Sequence, residues 1–333
     1  MAKPFITIIG LGVTGNSIGL ALRKEPGDFE VVGHDKDHAA DTAARKLNAV
    51  HRSEWNLHRA CEGASMVILA LPPSEIAETL RLIAEDLAPN ALVLALSSMM
   101  QPVVAVSGEV MPQHASVVIG HPILTGVGPN GEASADALTE AIFCLAAAPQ
   151  TAPGALELAS DFVERIGAKP HFMDALEHDG VMAGAEHLPQ LLGAVLMSMS
   201  VSTAGWRESQ QLAGRRFAQT TSIGGNADTI YRVLRDNRAN LLRRIDEYQM
   251  ELARWRQFLE AEETPGETPQ LRTELQRVVA ERAAWMERTL SQDWDTALAT
   301  PSAPESSGGI FRQLFVGNWG RKSPSSGDTP SKK

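Results

Sequence analysis

Short apolar runs alternate with amphipathic stretches through the first half of the chain. Phe5–Ile9, Met66–Leu71 and Ala91–Leu96 are near-continuous and rich in branched side chains, the pattern of strands buried on both faces of a parallel sheet. Glu30–Asp35 reads as a second strand that ends in an acid. Val117–Ile119, Ile142–Ala146 and a last run near Lys169–Met173 complete the set. Between them Ser17–Arg23, Ala39–Leu47, Glu75–Leu87 and Leu156–Ile166 carry helical character, with Ser74 placed to cap the third of these. Strands alternating with helices predict an α/β domain built on a doubly wound parallel sheet.

The pattern changes after Asp174. Helical periods run from about Ala175 to Leu298, and no strand-like alternation interrupts them. Leu241, Ile245, Tyr248, Leu252, Trp255 and Leu259 recur at alternating four- and three-residue steps, a coiled-coil-like seam. The segment 263–269, with two prolines and a glycine, breaks it before a second helix over Leu271–Leu290. This predicts a helical hairpin whose seam packs either within the subunit or across a dimer. A bare seam of that length is seldom left in water, so a homodimer through the helical domain is expected. Beyond Thr300 Ser, Pro, Gly and Lys dominate, and a disordered tail is predicted there. The expected organisation is therefore 1–174 dinucleotide-binding, 175–299 helical substrate and dimerisation, and 300–333 tail.

Length and charge narrow the function. A chain of 333 residues suits two domains, and 44% hydrophobic with 21% charged residues is a globular composition. Forty acidic against thirty basic residues give a net charge of −10, which argues against nucleic acid and for small-molecule or protein partners. Cys61 and Cys144 have no metal-ligand spacing and form no disulfide framework, so no metal is expected. The opening residues run straight into a strand without a signal-peptide pattern, and no 18-residue apolar stretch suggests a membrane span. A cytoplasmic protein is the expectation.

The sharpest motif is Gly10-Leu11-Gly12-Val13-Thr14-Gly15. It follows a strand and opens a helix, and Asp35 ends the next strand 20 residues after Gly15. That context makes it a Rossmann-type dinucleotide turn. Gly10 permits the tight turn, Gly12 lets backbone approach a pyrophosphate, and Gly15 lets helix pack on strand. Val13 and Thr14 present the helix N-terminus to the phosphates. The Asp35 carboxylate suits ribose hydroxyls and repels a 2′-phosphate, which favours NAD over NADP; Lys36 beside it softens that preference. Leu71 and Pro72, closing the third strand, complete the expected cofactor-binding set.

A second group of motifs lies further on. Ser97-Ser98 follows the fourth strand and Gly120-His121-Pro122-Ile123 the fifth. Glu177-His178-Asp179-Gly180 then leads into Glu186-His187-Leu188-Pro189-Gln190. In this order and spacing, from about Phe5 to Tyr248, the chain resembles the prephenate dehydrogenase family, which includes arogenate and cyclohexadienyl dehydrogenases. The resemblance implies NAD-dependent oxidation of a ring hydroxyl with loss of CO₂ in tyrosine biosynthesis. It also implies that His121 is the catalytic histidine accepting the hydroxyl proton, that Ser98 helps orient it, and that His187 lies at the substrate end. An imidazole at the carboxyl edge of a strand suits such work. His178 and Asp179 are expected to be a hydrogen-bonded pair holding the domain junction. Nine residues separate His178 from His187, which on a straight helix puts them on opposite faces.

The chain also departs from the family pattern. Ala95, Ser97 and Met100 stand where the family usually carries Asp, Gly and Lys, and Gln190 replaces a second histidine. Ser222 stands where a Thr-Arg pair would supply an arginine for a substrate carboxylate. A guanidinium grips a carboxylate with two hydrogen bonds, which a serine cannot do. Arg215 and Arg216, one to two helical turns earlier, are the candidate replacements. The departure keeps two alternatives open: the same architecture acting on another ring alcohol, or an NAD-binding protein without this catalysis.

Overall fold

The computed structural model describes residues 3–24, 27–124, 131–224, 226–262, 264–266 and 268–291. Eight strands form one sheet in the order β3-β2-β1-β4-β5-β6-β7-β8. They are β1 (Phe5–Ile9), β2 (Glu30–His34), β3 (Arg52–Ser53), β4 (Met66–Leu69), β5 (Leu92–Leu96), β6 (Ser116–Pro122), β7 (Ile142–Ala147) and β8 (Lys169–Phe172). The chain winds outward from β1 in one direction through β2, then crosses back to β4 and continues the other way. Ligands of such sheets bind at the carboxyl edge, near the point where the winding reverses.

Period-two alternation sorts the apolar side chains onto the two faces. Met66, Ile68, Leu92 and Leu94 join one buried cluster with Ile6, Ile8, Ile18 and Phe162. Val67, Leu69, Val93 and Ala95 join the other with Ile76, Leu80, Ile83 and Ile119. Both faces are therefore dry, and each large aliphatic buried there contributes about 1.5–3 kcal/mol relative to exposure.

Several expectations need correction. The sheet is not wholly parallel, because β7 runs antiparallel to β6, with His121 opposite Cys144 and Pro122 opposite Phe143. That partner extends β6 three residues past Ile119, through a Gly-His-Pro sequence with little strand propensity of its own. A side chain at Gly120 would meet the Phe143 ring at 2.6 Å, so glycine is needed for β7 to close on β6. The helix after β4 begins earlier than expected, at Pro73, and Pro72 stands at its N-cap with no side-chain cap bond. Ser74 therefore lies inside that helix, because proline's fixed φ suits its first turn. The strand β3, helix α3 (Leu57–Cys61) and helix α5 (Gln101–Val110) carried too short or too uniform a pattern to be read.

Beyond β8 the described chain is helical. Numbering the α-helices in chain order, α7 (Ala175–Met182) opens where Asp174 accepts hydrogen bonds from the amides of Leu176 and Glu177. A π-helical turn, Ala183–His187, joins it to α8 (Leu188–Ser202). Then come α9 (Trp206–Leu212), α10 (Arg215–Thr220), α11 (Ala227–Asp236), α12 (Arg238–Glu260) and α13 (Gln270–Ser291). Arg254 of α12 pairs with Glu274 of α13 at 2.8 Å, tying the hairpin. Only part of the seam is covered, since Leu241 is buried while Leu252 and Leu259 are 57% and 71% exposed. The predicted disordered tail lies outside the described residues. Among those described, no helix is long and apolar enough to cross a membrane.

Candidate active site

Parallel strands bring their carboxyl ends to one edge, and the sequence motifs collect there. Gly10 turns the chain out of β1 with φ +95°, a conformation that favours glycine. A Cβ on Gly10 would lie 2.3 Å from the Ala70 carbonyl, and one on Gly15 would lie 2.0 Å from the Gly10 carbonyl. A Cβ on Gly12 meets nothing within 4 Å, so its open face is the one toward which a phosphate group can approach. Helix α1 (Val13–Lys24) starts directly after Gly12, and the amides of its first turn have no intrahelical acceptor, which leaves them free for an anion. Asp35 Oδ2 accepts from the Leu11 amide at 2.8 Å, and Oδ1 accepts from the Asp37 amide at 2.8 Å. These bonds hold the carboxylate beside the turn with lone pairs left over for ribose hydroxyls. Lys36 is turned onto Glu75 at 2.7 Å, which compensates its charge. Leu71 is half-buried and Pro72 exposed where the chain leaves β4. The residues present fit a dinucleotide.

Three strands along the same edge, β6 presents His121. Its Nδ1 lies 3.0 Å from His178 Nε2, and His178 Nδ1 lies 3.0 Å from Asp179 Oδ1. Asp179 also accepts from the amides of Met100 (2.8 Å) and Gln101 (3.0 Å) at the start of α5. His178 and Asp179 are 1% and 2% exposed. The chain of bonds has one consistent polarity. A carboxylate only accepts, so His178 carries its proton on Nδ1 and offers a lone pair at Nε2. His121 then donates from Nδ1, which leaves its Nε2 with a free lone pair. Burial pushes the His121 pKa down to about 3, helped by the neighbouring His178 and His187, while Asp179 works the other way. At neutral pH His121 is an uncharged base.

The second cluster sits on the π turn. His187 Nδ1 lies 3.0 Å from Asn237 Nδ2, which also donates to the backbone carbonyl of Asp179 at 2.7 Å. His187 is 1% exposed, and its Nε2 has no partner among the described residues. Burial lowers its pKa as well. The straight-helix expectation, His178 and His187 on opposite faces, fails here for a physical reason. Pro189 has no amide proton, and the π turn inserts an extra residue that rotates the succeeding helix by about 100°. Both histidines thereby reach Asp179, one through its carboxylate and one through Asn237. Among the described residues, no group of three or more His, Cys, Asp or Glu is arranged to hold a metal ion.

Two family models match consecutive stretches that together cover well over half of the chain. "Prephenate dehydrogenase, nucleotide-binding domain" matches residues 18–171, and "Prephenate dehydrogenase, dimerization domain" matches 174–277. The chain belongs to the prephenate dehydrogenase family. The prephenate dehydrogenase of Bacillus subtilis is 27% identical over 78% of this chain and 71% of its own. The cyclohexadienyl dehydrogenase of Zymomonas mobilis is 25% identical, over 75% and 87%. Among solved structures, Aquifex aeolicus prephenate dehydrogenase in complex with hydroxyphenyl propionate and NAD⁺ superposes with a TM-score of 0.75 at 19% identity, covering 85% of this chain and 99% of that one. Synechocystis arogenate dehydrogenase gives 0.69 at 21% identity, covering 84% and 99%. At these identities the two structures bear on the fold.

Against the prephenate dehydrogenase pattern, the remaining expected residues divide. Ser98 is half-buried just beyond β5, whose Leu96 pairs with Gly120, so it shares the sheet edge of His121. Its neighbour Ser97 is consumed by the loop, its Oγ accepting from the Met99 amide at 3.1 Å. Ser222 belongs to a segment that crosses α8, its carbonyl 3.6 Å from where a Gly193 Cβ would stand. Gln190 Nε2 holds the same segment through the Gly224 carbonyl at 3.0 Å. Arg215 and Arg216 are both exposed on α10, and no described contact joins either to the histidine cluster. Their expected compensation for Ser222 therefore finds no support within the single chain. Asn237 was missed altogether, because one asparagine in a helical stretch gives no signal until the fold brings it to residues 50 and 58 positions away.

Proposed function

We propose that this protein is an NAD-dependent dehydrogenase that oxidises and decarboxylates prephenate or arogenate, a step of tyrosine biosynthesis. The observation that carries the reading is the hydrogen-bond chain from Asp179 through His178 to His121, at the sheet edge that also bears the glycine turn. Gly10, Gly12, Val13, Thr14 and Gly15 would hold the pyrophosphate, Asp35 the adenosine ribose, and Leu71 and Pro72 would border the cofactor's path. The bound cofactor supplies the hydride acceptor. His121 Nε2 takes the proton of the ring hydroxyl as that carbon becomes a carbonyl. The ring carboxylate then leaves as CO₂; its bonding electrons make the ring aromatic and pass to the carbonyl oxygen, which takes the proton back from His121 as a phenol hydroxyl. Proton transfer to a placed base of this kind contributes about 10²–10⁴-fold in rate. His178, held by Asp179, positions His121 and spreads the charge it acquires. Ser98 would bind near the reacting hydroxyl, and His187 would meet the substrate on its far side.

Ser222 favours a second reading, a ring alcohol whose side chain does not demand an arginine. A side-by-side assay separates the two. Purified protein with NAD should form NADH on adding prephenate or arogenate. Tight NAD binding in calorimetry, with no NADH from either acid but turnover of a neutral ring alcohol, would favour the second reading.

We further infer a homodimer in the cytoplasm. The uncovered α12–α13 seam, the dimerization-domain match over 174–277 and two buried free cysteines support that assignment.

A further inference from the structure

His187 Nε2 is a fully buried polar atom without a partner among the described residues, which a protein interior seldom leaves unexplained. Its protonation can be read from the groups behind it. The Arg243 guanidinium only donates, and it lies 2.8 Å from Asn240, so the Asn240 oxygen faces it. The Asn240 amide nitrogen then donates to Asn237 Oδ1 at 2.9 Å. That turns the Asn237 nitrogen toward the Asp179 carbonyl, which only accepts, and toward His187 Nδ1. Each link agrees with the next, and Nδ1 must supply the lone pair. The proton of a neutral His187 is therefore on Nε2.

We propose that Asn237 is a positioning residue that fixes His187 as a neutral imidazole with its proton on Nε2, a hydrogen-bond donor to an oxygen of the substrate. The inference rests on the dehydrogenase reading only for the identity of that oxygen. Two hydrogen-bonded chains thus end in the site with opposite polarity: His121 offers an acceptor, and His187 a donor. The charged or titratable groups facing His187 are Asp179, which favours a charged ring, and His178, which opposes it. A neutral donor beside His121 also spares the base a neighbouring positive charge. The arrangement suits a substrate whose hydroxyl must lose a proton while another oxygen is held.

The test is ring-nitrogen NMR on ¹⁵N-histidine-labelled protein, with His187 assigned by its loss in His187→Gln. The expected wild-type spectrum has His187 bare at Nδ1 and protonated at Nε2 across the range of activity. Asn237→Ala should release the tautomer, and Asn237→Asp should draw a proton onto Nδ1. In both variants KM should rise about tenfold, the effect of one lost hydrogen bond to a buried group, while NAD affinity holds. A wild-type His187 protonated at Nδ1, or an Asn237→Ala protein with unchanged tautomer and KM, overturns the proposal. If neither variant folds, the wild-type tautomer alone decides. The spectrum needs no turnover, so a failed substrate assay and a failed assignment of Asn237 are distinguishable.

Discussion

At the scale of single residues, the glycine turn separates two roles that one motif usually conflates. Gly15→Ala puts a methyl group into the Gly10 carbonyl, an overpacking expected to cost about 1–3 kcal/mol and to lower the melting temperature. Gly12→Ala meets no protein atom, so stability should hold while NAD affinity falls. Calorimetric titration and thermal melts of the pair check this; equal destabilisation by both would contradict it. His121 makes a second residue-scale prediction. Its folded pKa lies below the ordinary 6.5, so between about pH 6.5 and 3 the unfolded chain binds a proton that the folded site refuses. Stability must then fall as pH drops through that window, at about 1.4 kcal/mol per pH unit for each such group. A melting-temperature profile of His121→Gln should be flatter there than that of the wild type.

At the scale of elements, Asp179 joins the two halves of the chain. One carboxylate takes two amides at the start of α5, where the helix dipole also favours it, and the His178 ring. Asp179→Ala leaves those donors buried and unmatched, and at about 1–3 kcal/mol for each unsatisfied donor several kcal/mol of stability should go with it in denaturant titration. A loss under 1 kcal/mol would show that the junction is held elsewhere. This junction also marks how far the sequence could be read. The turn, the acid directly after β2 and the strand edge bearing His121 were legible because their signals are local. The His178–Asp179 pair was legible as a contact, but its link to His121 was not, since that link joins residues 57 positions apart. Pro189 lacks one helical amide, yet the phase shift of the π turn depends on the bonds actually formed. The antiparallel β7 left no mark in the apolar pattern, which is the same for either strand direction.

At the scale of the whole molecule, the helical half leaves apolar side chains uncovered. Leu252, Leu259, Val279 and Leu290 are 57, 71, 66 and 81% exposed. The second copy we propose would cover them, and light scattering should then give twice the chain mass, with Leu259→Glu shifting it toward monomer. A monomeric wild type would remove the inference. The role proposed for His121, as the base of an NAD-dependent oxidation, would unite the fold, the glycine turn and the buried hydrogen-bond chain, and one comparison tests it most directly. NADH formation from prephenate or arogenate is measured for the wild type and for His121→Asn, alongside NAD binding. The variant should bind NAD as the wild type does and lose turnover by about 10²–10⁴-fold. Wild-type turnover retained within a few fold in His121→Asn would contradict that role.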